Sequence, residues 1–270
     1  MTAWSDPAVV VETNGAVATI WMNRPERLNA WSRDLSTGLL DALAQVAADP
    51  EIRGVVWTGR GRAFSAGADI KNPDTHRTND LEAALDESIT RGPNAFDVLS
   101  SFPKPIIAAV NGYSIGVGCL TPLCCDFIYA AESAKFQLPQ VQLGVMPAYG
   151  GGLRLARLVG AQNAAEMILS GRMVTAREEA AKGMVARVFP DADLVPAAQE
   201  MMRTIAGHPP VAVKMARESL RTGVESGDMH AIELADAHRL LLLMTRRDTA
   251  NQHQAWRERR DPSAPSAPVR

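Results

Sequence analysis

The order of apolar and polar positions divides this chain into strands, helices and glycine-rich joints. Residues 9–11 and 16–22 are apolar and β-branched runs, and Asn14-Gly15 between them is a hairpin signal. Over 34–47 the period lengthens, and Leu35, Leu39, Ala42, Leu43 and Val46 fall on one face of a helix. Residues 54–58 read as a short buried strand, and a glycine-rich loop follows. A helix is expected over 81–99, broken or kinked at Gly92-Pro93. Residues 105–110 form another strand ending at Asn111-Gly112, and 126–130 form a third. Strands alternating with helices predict an α/β core with parallel pairing. Beyond about residue 161 the pattern is almost wholly helical, with Thr175 and Glu178 spaced as a capping box. The tail, 261–270, holds three prolines and two serines and reads as loose. No internal repeat interrupts this order.

Composition narrows the classes. The chain has 270 residues, 46% of them hydrophobic, which suits one long domain or a domain with a helical annex. A formal net charge of -2 argues against nucleic acid as the main partner. Residues 1–11 show no basic segment followed by an apolar run, so no secretory signal is expected. The most apolar stretch, 105–123, is interrupted by Asn111, Gly112, Gly116, Gly118 and Pro122, so no membrane span is expected. Cys119, Cys124 and Cys125 are odd in number and clustered, unlike a disulfide framework, and no Cys/His spacing suggests a metal site. Reduced, buried thiols in a cytoplasmic protein are the expectation.

Two segments carry candidate chemistry. The first, 59–71, reads Gly-Arg-Gly-Arg-Ala-Phe-Ser-Ala-Gly-Ala-Asp-Ile-Lys. A glycine-punctuated loop after a strand can bring bare backbone N–H groups against a ligand, although most such loops are only turns. The second, 105–119, reads Pro-Ile-Ile-Ala-Ala-Val-Asn-Gly-Tyr-Ser-Ile-Gly-Val-Gly-Cys. A strand running into glycines and then an apolar helix aims N–H groups and a positive dipole end at one point. That suits a developing oxyanion.

Together these segments resemble the crotonase (enoyl-CoA hydratase/isomerase) superfamily. Flanking matches extend the resemblance over roughly 8–260: Asn-Arg-Pro-Glu-Arg-Leu-Asn-Ala at 23–30, Cys-Asp-Phe-Ile-Tyr-Ala at 125–130, Leu-Gly-Val at 143–145 and the glycines 150–152, then Ser-Gly-Arg at 170–172 and Thr-Ala-Arg-Glu at 175–178. The resemblance implies an α/β fold, a spiral of ββα units with a C-terminal helical region. The expected division is a core over 1–200, a helical trimerisation region over 201–260 and a flexible tail over 261–270. It also implies a homotrimer or hexamer that takes an acyl-CoA substrate. Coenzyme A enters as part of that substrate, with no tightly bound cofactor and no metal.

Carried over position by position, the family's oxyanion hole falls on the backbone N–H groups of Ala68 and Val117. Glycine is common at the second position, and the donor is backbone in either case. The family's CoA-binding positions fall on Arg27, Leu28, Ala30, Arg62, Ala66, Ala68, Asp69, Ile70 and Lys71. Arg27, Arg62 and Lys71 are phosphate candidates, with solvated surface charges as the plain alternative. Asp69 in this motif more often holds the loop than exchanges protons.

The chain departs from the family's hydratases at the acyl pocket. Their two catalytic glutamates fall on Leu120 and Gln140, and neither residue can exchange a proton. The aspartate of some isomerase and dehalogenase relatives falls on Ala148. Tyr149 and His238 are the first candidates for a proton donor, with His76, Lys71 and His230 behind them. The alternative for Tyr149 is a wall of the acyl pocket, and for His238 a helix interface. The resemblance therefore implies an acyl-CoA lyase or isomerase working through an enolate, with simple hydration slow. A decarboxylase or C–C hydrolase of the same superfamily, or a non-catalytic acyl-CoA binding protein, are the alternatives.

Overall fold

The computed structural model describes residues 7–69 and 94–259, in two compact units that part between Ala206 and Gly207. The first unit opens on a hairpin, β1 (Val9–Asn14) and β2 (Val17–Met22), with Gly15 supplying the positive φ its turn needs. Helix α1 (Arg33–Ala48) is capped by the Ser32 side chain and buries Leu35, Leu39, Ala42, Leu43 and Val46, the predicted face. Strand β3 (Gly54–Gly59) and strand β4 (Ala63–Ser65) follow. The described part of the expected 81–99 helix is α2 (Ala95–Ser100), which starts at an Asn94 capping box; residues 81–93, with the expected break at Gly92-Pro93, lie outside the described residues.

Three successive stretches then repeat one layout. Strands β3, β5 (Ile106–Val110) and β7 (Phe127–Ala131) enter one sheet. The strand that follows each, β4, β6 (Tyr113–Ile115) or β8 (Lys135–Gln137), enters a second. This alternation is the spiral of ββα units. The first sheet runs β1-β2-β3-β5-β7-β10 and the second β4-β6-β8-β9, where β9 is Val174–Thr175 and β10 is Arg187–Phe189. All neighbours pair in parallel except at the β1–β2 and β8–β9 edges. β3 and β5 are buried along their whole length, which explains their unbroken apolar sequences.

Helix α3 (Val117–Leu120) is a single turn after β6. α4 (Gly151–Val159), α5 (Ala161–Ser170), α6 (Ala176–Lys182) and α7 (Leu194–Ala206) complete the unit. Beyond 161 the described chain is almost wholly helical, as expected, with β9 and β10, too short to show a period, as the exceptions. α7 also places the end of the core later than residue 200. Its face of Leu194, Ala198, Met202 and Ala206 is buried, and the Met202 sulfur lies 2.1 Å from where a Cβ on Gly54 of β3 would stand. The second unit contains α8 (Pro210–Ser226), α9 (Met229–Met244) and α10 (Arg247–Arg259). The Ser219 hydroxyl donates to Asp236 at 2.6 Å between α8 and α9. No helix among the described residues is long and apolar enough to cross a membrane.

Candidate active site

The site begins in a turn. Pro25–Arg27 forms one turn of 3-10 helix, and Leu28 and Asn29 follow with φ of 52° and 53°. Asparagine tolerates that left-handed backbone better than most residues. Asn29 is fully buried and cross-links the turn. Its Oδ1 accepts from the Arg24 N–H at 2.8 Å, and its Nδ2 donates to the carbonyls of Arg60 at 3.0 Å and Ala63 at 2.7 Å. Backbone bonds then lay the turn along the first glycine-rich loop. Ala66 N–H donates to Leu28 O at 2.9 Å, Trp31 N–H to Gly67 O at 2.7 Å, and Asp69 N–H to Trp31 O at 3.1 Å.

The structure therefore brings Arg27, Leu28 and Ala30 beside Ala66, Ala68 and Asp69. Arg27 and Arg62 are exposed. Asp69 is buried, with its carboxylate 3.9 Å from the Arg24 guanidinium. Ile70, Lys71 and His76 lie outside the described residues.

Parallel pairing fixes which way Ala68 faces. Its neighbours Gly67 and Asp69 use their carbonyl and N–H on Trp31, so the Ala68 N–H points to the opposite side. No described residue accepts from it. Gly67 has φ of +88°, and a Cβ there would stand 2.7 Å from Ile115 O. Gly116 has φ of +57°, and its Cβ would stand 3.9 Å from Gly67 Cα. The two loops thus touch backbone to backbone at their glycines. The next residue on each chain is Ala68 or Val117.

Gly116 is itself pinned, with its N–H on Gln137 O at 2.9 Å and its carbonyl accepting from Cys119 and Leu120, both at 3.0 Å. Val117 is the first residue of α3, where an N–H has no intrahelical partner. No described residue accepts from it either. α3 lies flush on β4: a Cβ on Gly118 would meet Ser65 Cβ at 2.6 Å.

The remaining candidates surround α3 unevenly. Leu120, one turn beyond Val117, is buried, and a Cβ on Gly151 would stand 2.5 Å from its Cδ2. Gln140 lies in the 3-10 turn Pro139–Leu143, and its Nε2 is 3.9 Å from the Cβ direction of Gly116. Ala148 is exposed, and its carbonyl accepts from Gly151 N–H at 3.0 Å. Tyr149 has φ of 55° and stacks on Phe96 with ring centroids 4.7 Å apart and planes 13° apart. His238 and His230 are exposed on α9 in the second unit.

Sequence reasoning missed Asn29, Phe96 and Glu179. Glu179 is 1% exposed on α6, its carboxyl raised by burial while Lys182 donates to it at 3.1 Å. Burial, with the Glu179 charge adding to it, also pushes the Cys119 thiol far above its ordinary range. Cys119 is buried, as structural thiols ordinarily are. An acidic residue inside an amphipathic helix carries no local sign that its carboxylate is buried.

Paired sheets, a spiral of strand pairs and two touching glycine loops define the class: a crotonase-type fold. The model of the enoyl-CoA hydratase/isomerase family matches residues 12–265. The 2,3-dehydroadipyl-CoA hydratase of Escherichia coli (strain K12) is 39% identical over 217 residues, covering 80% of this chain and 83% of that protein. The mitochondrial enoyl-CoA hydratase of Pongo abelii is 37% identical over 212 residues, 78% of this chain and 71% of that protein. The crystal structure of an enoyl-CoA hydratase from Bacillus anthracis superposes with a TM-score of 0.85 at 32% identity, covering 94% of this chain and 97% of that one. The chain belongs to the enoyl-CoA hydratase/isomerase family of the crotonase superfamily, whose members act on acyl-CoA thioesters.

Proposed function

We propose that the chain binds an acyl-CoA with its thioester oxygen between the N–H groups of Ala68 and Val117, and that it stabilises the enolate formed there. The observation that carries this is a pair of backbone donors that no described residue uses, beside two glycines in contact, Gly67 and Gly116. Donors held in place cost no reorganisation when charge develops on the oxygen. Coenzyme A enters as part of the substrate. The adjoining 24–30 turn supports a place for its nucleotide near Arg27 and Arg62. The reaction takes place in the cytoplasm, in a homotrimer or hexamer supported by the exposed Leu234, Leu240, Leu241 and Leu242 of α9.

Hydration of a simple enoyl-CoA is slow in this reading. A positioned acid or base contributes about 10²–10⁴ in rate, and Leu120 and Gln140 supply neither. The same pair favours a lyase reaction that needs no carboxylate base. A malonyl-type thioester breaks its bond to the β-carboxylate, releases CO2 and leaves the electron pair on the enolate, which then takes one proton at the α-carbon. Tyr149, in the 148–150 turn, is the donor to assay. The test is a panel of malonyl-type, β-keto and enoyl thioesters, with products identified by mass. Consumption of a malonyl-type thioester with loss of CO2 is the expected result. Turnover of crotonyl-CoA alone, at an ordinary enzymic rate, overturns it.

A further inference from the structure

Three glutamines stand close together around β8 and the turn after it, and their amides are used differently. Gln137 donates through Nε2 to Gly171 O at 2.8 Å, and Gln142 donates to Ser170 O at 3.1 Å and Gly171 O at 3.2 Å. Both amides tie the turn to the end of α5. Gln140, between them, bonds no described residue through its side chain, and its Oε1 is shut off from solvent without a partner. Its backbone, by contrast, is anchored, because its carbonyl accepts from Gly144 and from Val145, the latter at 3.0 Å. The amide lies against Gly116, one residue before the Val117 donor.

A buried amide oxygen without a partner is unfavourable, and folded proteins rarely keep one where nothing answers it. A carboxamide cannot move a proton, but a half-turn about its last torsion exchanges its ends. It therefore offers both donors and an acceptor to the same space. Leu120 on α3 offers neither.

We infer that Gln140 is a specificity-determining residue. Its carboxamide hydrogen-bonds an oxygen carried by the acyl group close to the thioester, so the chain selects acyl-CoA substrates bearing a hydroxyl, keto or carboxylate oxygen over purely hydrocarbon ones. This deepens the oxyanion-hole reading above and rests on it. Selection of this kind follows from geometry: a site built to hydrogen-bond a substrate oxygen rejects the analogue that lacks it, because its own polar group is then left unpaired.

The test is titration calorimetry of the full chain with butyryl-CoA, 3-hydroxybutyryl-CoA, acetoacetyl-CoA and malonyl-CoA, with turnover checked by mass. The wild type is expected to prefer an oxygenated ligand to butyryl-CoA by about 3- to 10-fold for a neutral oxygen, and by more for a carboxylate. The three oxygenated arms identify which oxygen is selected. Gln140→Leu and Gln140→Met, both close to the original volume, are expected to bring the ratio to near 1. A residue that only supported the fold would weaken every ligand alike and leave the ratio where it was. A wild-type ratio near 1, a ratio retained in both variants, or loss of all binding in both overturns the assignment. Failure of the underlying reading looks different: the wild type then binds none of the four thioesters.

Discussion

Replacing Val117 by proline removes one proposed oxyanion donor at a place where the fold does not use it. Val117 is the first residue of α3, and its N–H bonds no described residue, so no backbone hydrogen bond among the described residues is lost. Proline suits this position because its φ matches the first helical turn. The carbonyl of Val117 remains available to the Thr121 hydroxyl, which donates to it at 3.0 Å. The stability cost is then mainly the lost packing of a partly buried valine side chain, about 1 kcal/mol. In a unit of this size that lowers Tm by about 2–4 °C.

Catalysis is expected to suffer far more. Removing one oxyanion-hole donor costs roughly 2.7–4 kcal/mol of transition-state stabilisation, or about 10²–10³ in kcat. The assay is turnover of whichever thioester the panel identifies, read beside the absorbance of enolised acetoacetyl-CoA bound to each protein. Val117→Pro should lose turnover and the enolate signal while keeping its far-ultraviolet circular dichroism. A folded variant that keeps both within about 3-fold refutes the oxyanion assignment.

Restoring the missing carboxylates tests the pocket. Wild-type hydration of crotonyl-CoA should fall below the ordinary range of ~1–10³ s⁻¹, and Leu120→Glu with Gln140→Glu should raise it more than either change alone. The gain will be limited by the burial of residue 120, which penalises an ionised carboxylate. A folded double mutant that binds acyl-CoA without any hydration shows that the pocket differs beyond these two positions. Gly67→Ala should destabilise by roughly 1–3 kcal/mol and disturb acyl-CoA binding, since it adds a Cβ 2.7 Å from Ile115 O at a φ of +88°. Gly15→Ala, also at positive φ but with no atom within 4 Å of its Cβ, should leave binding intact; equal binding losses would contradict the backbone contact. The Thr175 backbone N–H, then the Arg172 guanidinium, hold the half-exposed Glu178 carboxyl down from 4.5 to about 2. Its folded value is the lower one, so its stabilisation is present above about pH 4.5 and is lost as pH falls towards 2. Denaturant midpoints of wild type and Glu178→Gln should therefore converge on acidification; a gap that widens would reverse the sign.

The sequence by itself determined the elements whose signals are local. Asn14-Gly15 specifies the hairpin, the spacing of Leu35, Leu39 and Leu43 specifies α1, and Thr175 with Glu178 specifies the start of α6. The unbroken apolar runs of β3 and β5 marked buried parallel strands. Family motifs point to Ala68 and Val117 as the proposed donors, and the absence of carboxylates at Leu120 and Gln140 is plain from residue types. Tertiary structure decided the rest. β9 and β10 have only two and three residues, too few for any period, and form because β8 and β7 are there to pair with them. That Gly67 and Gly116 meet, that Asn29 locks one loop to another, and that Gln140 alone of three glutamines is left without a partner are all contacts between distant segments. A donor or acceptor becomes free for a substrate only when the fold has finished bonding its neighbours, and no local pattern of side chains encodes that remainder.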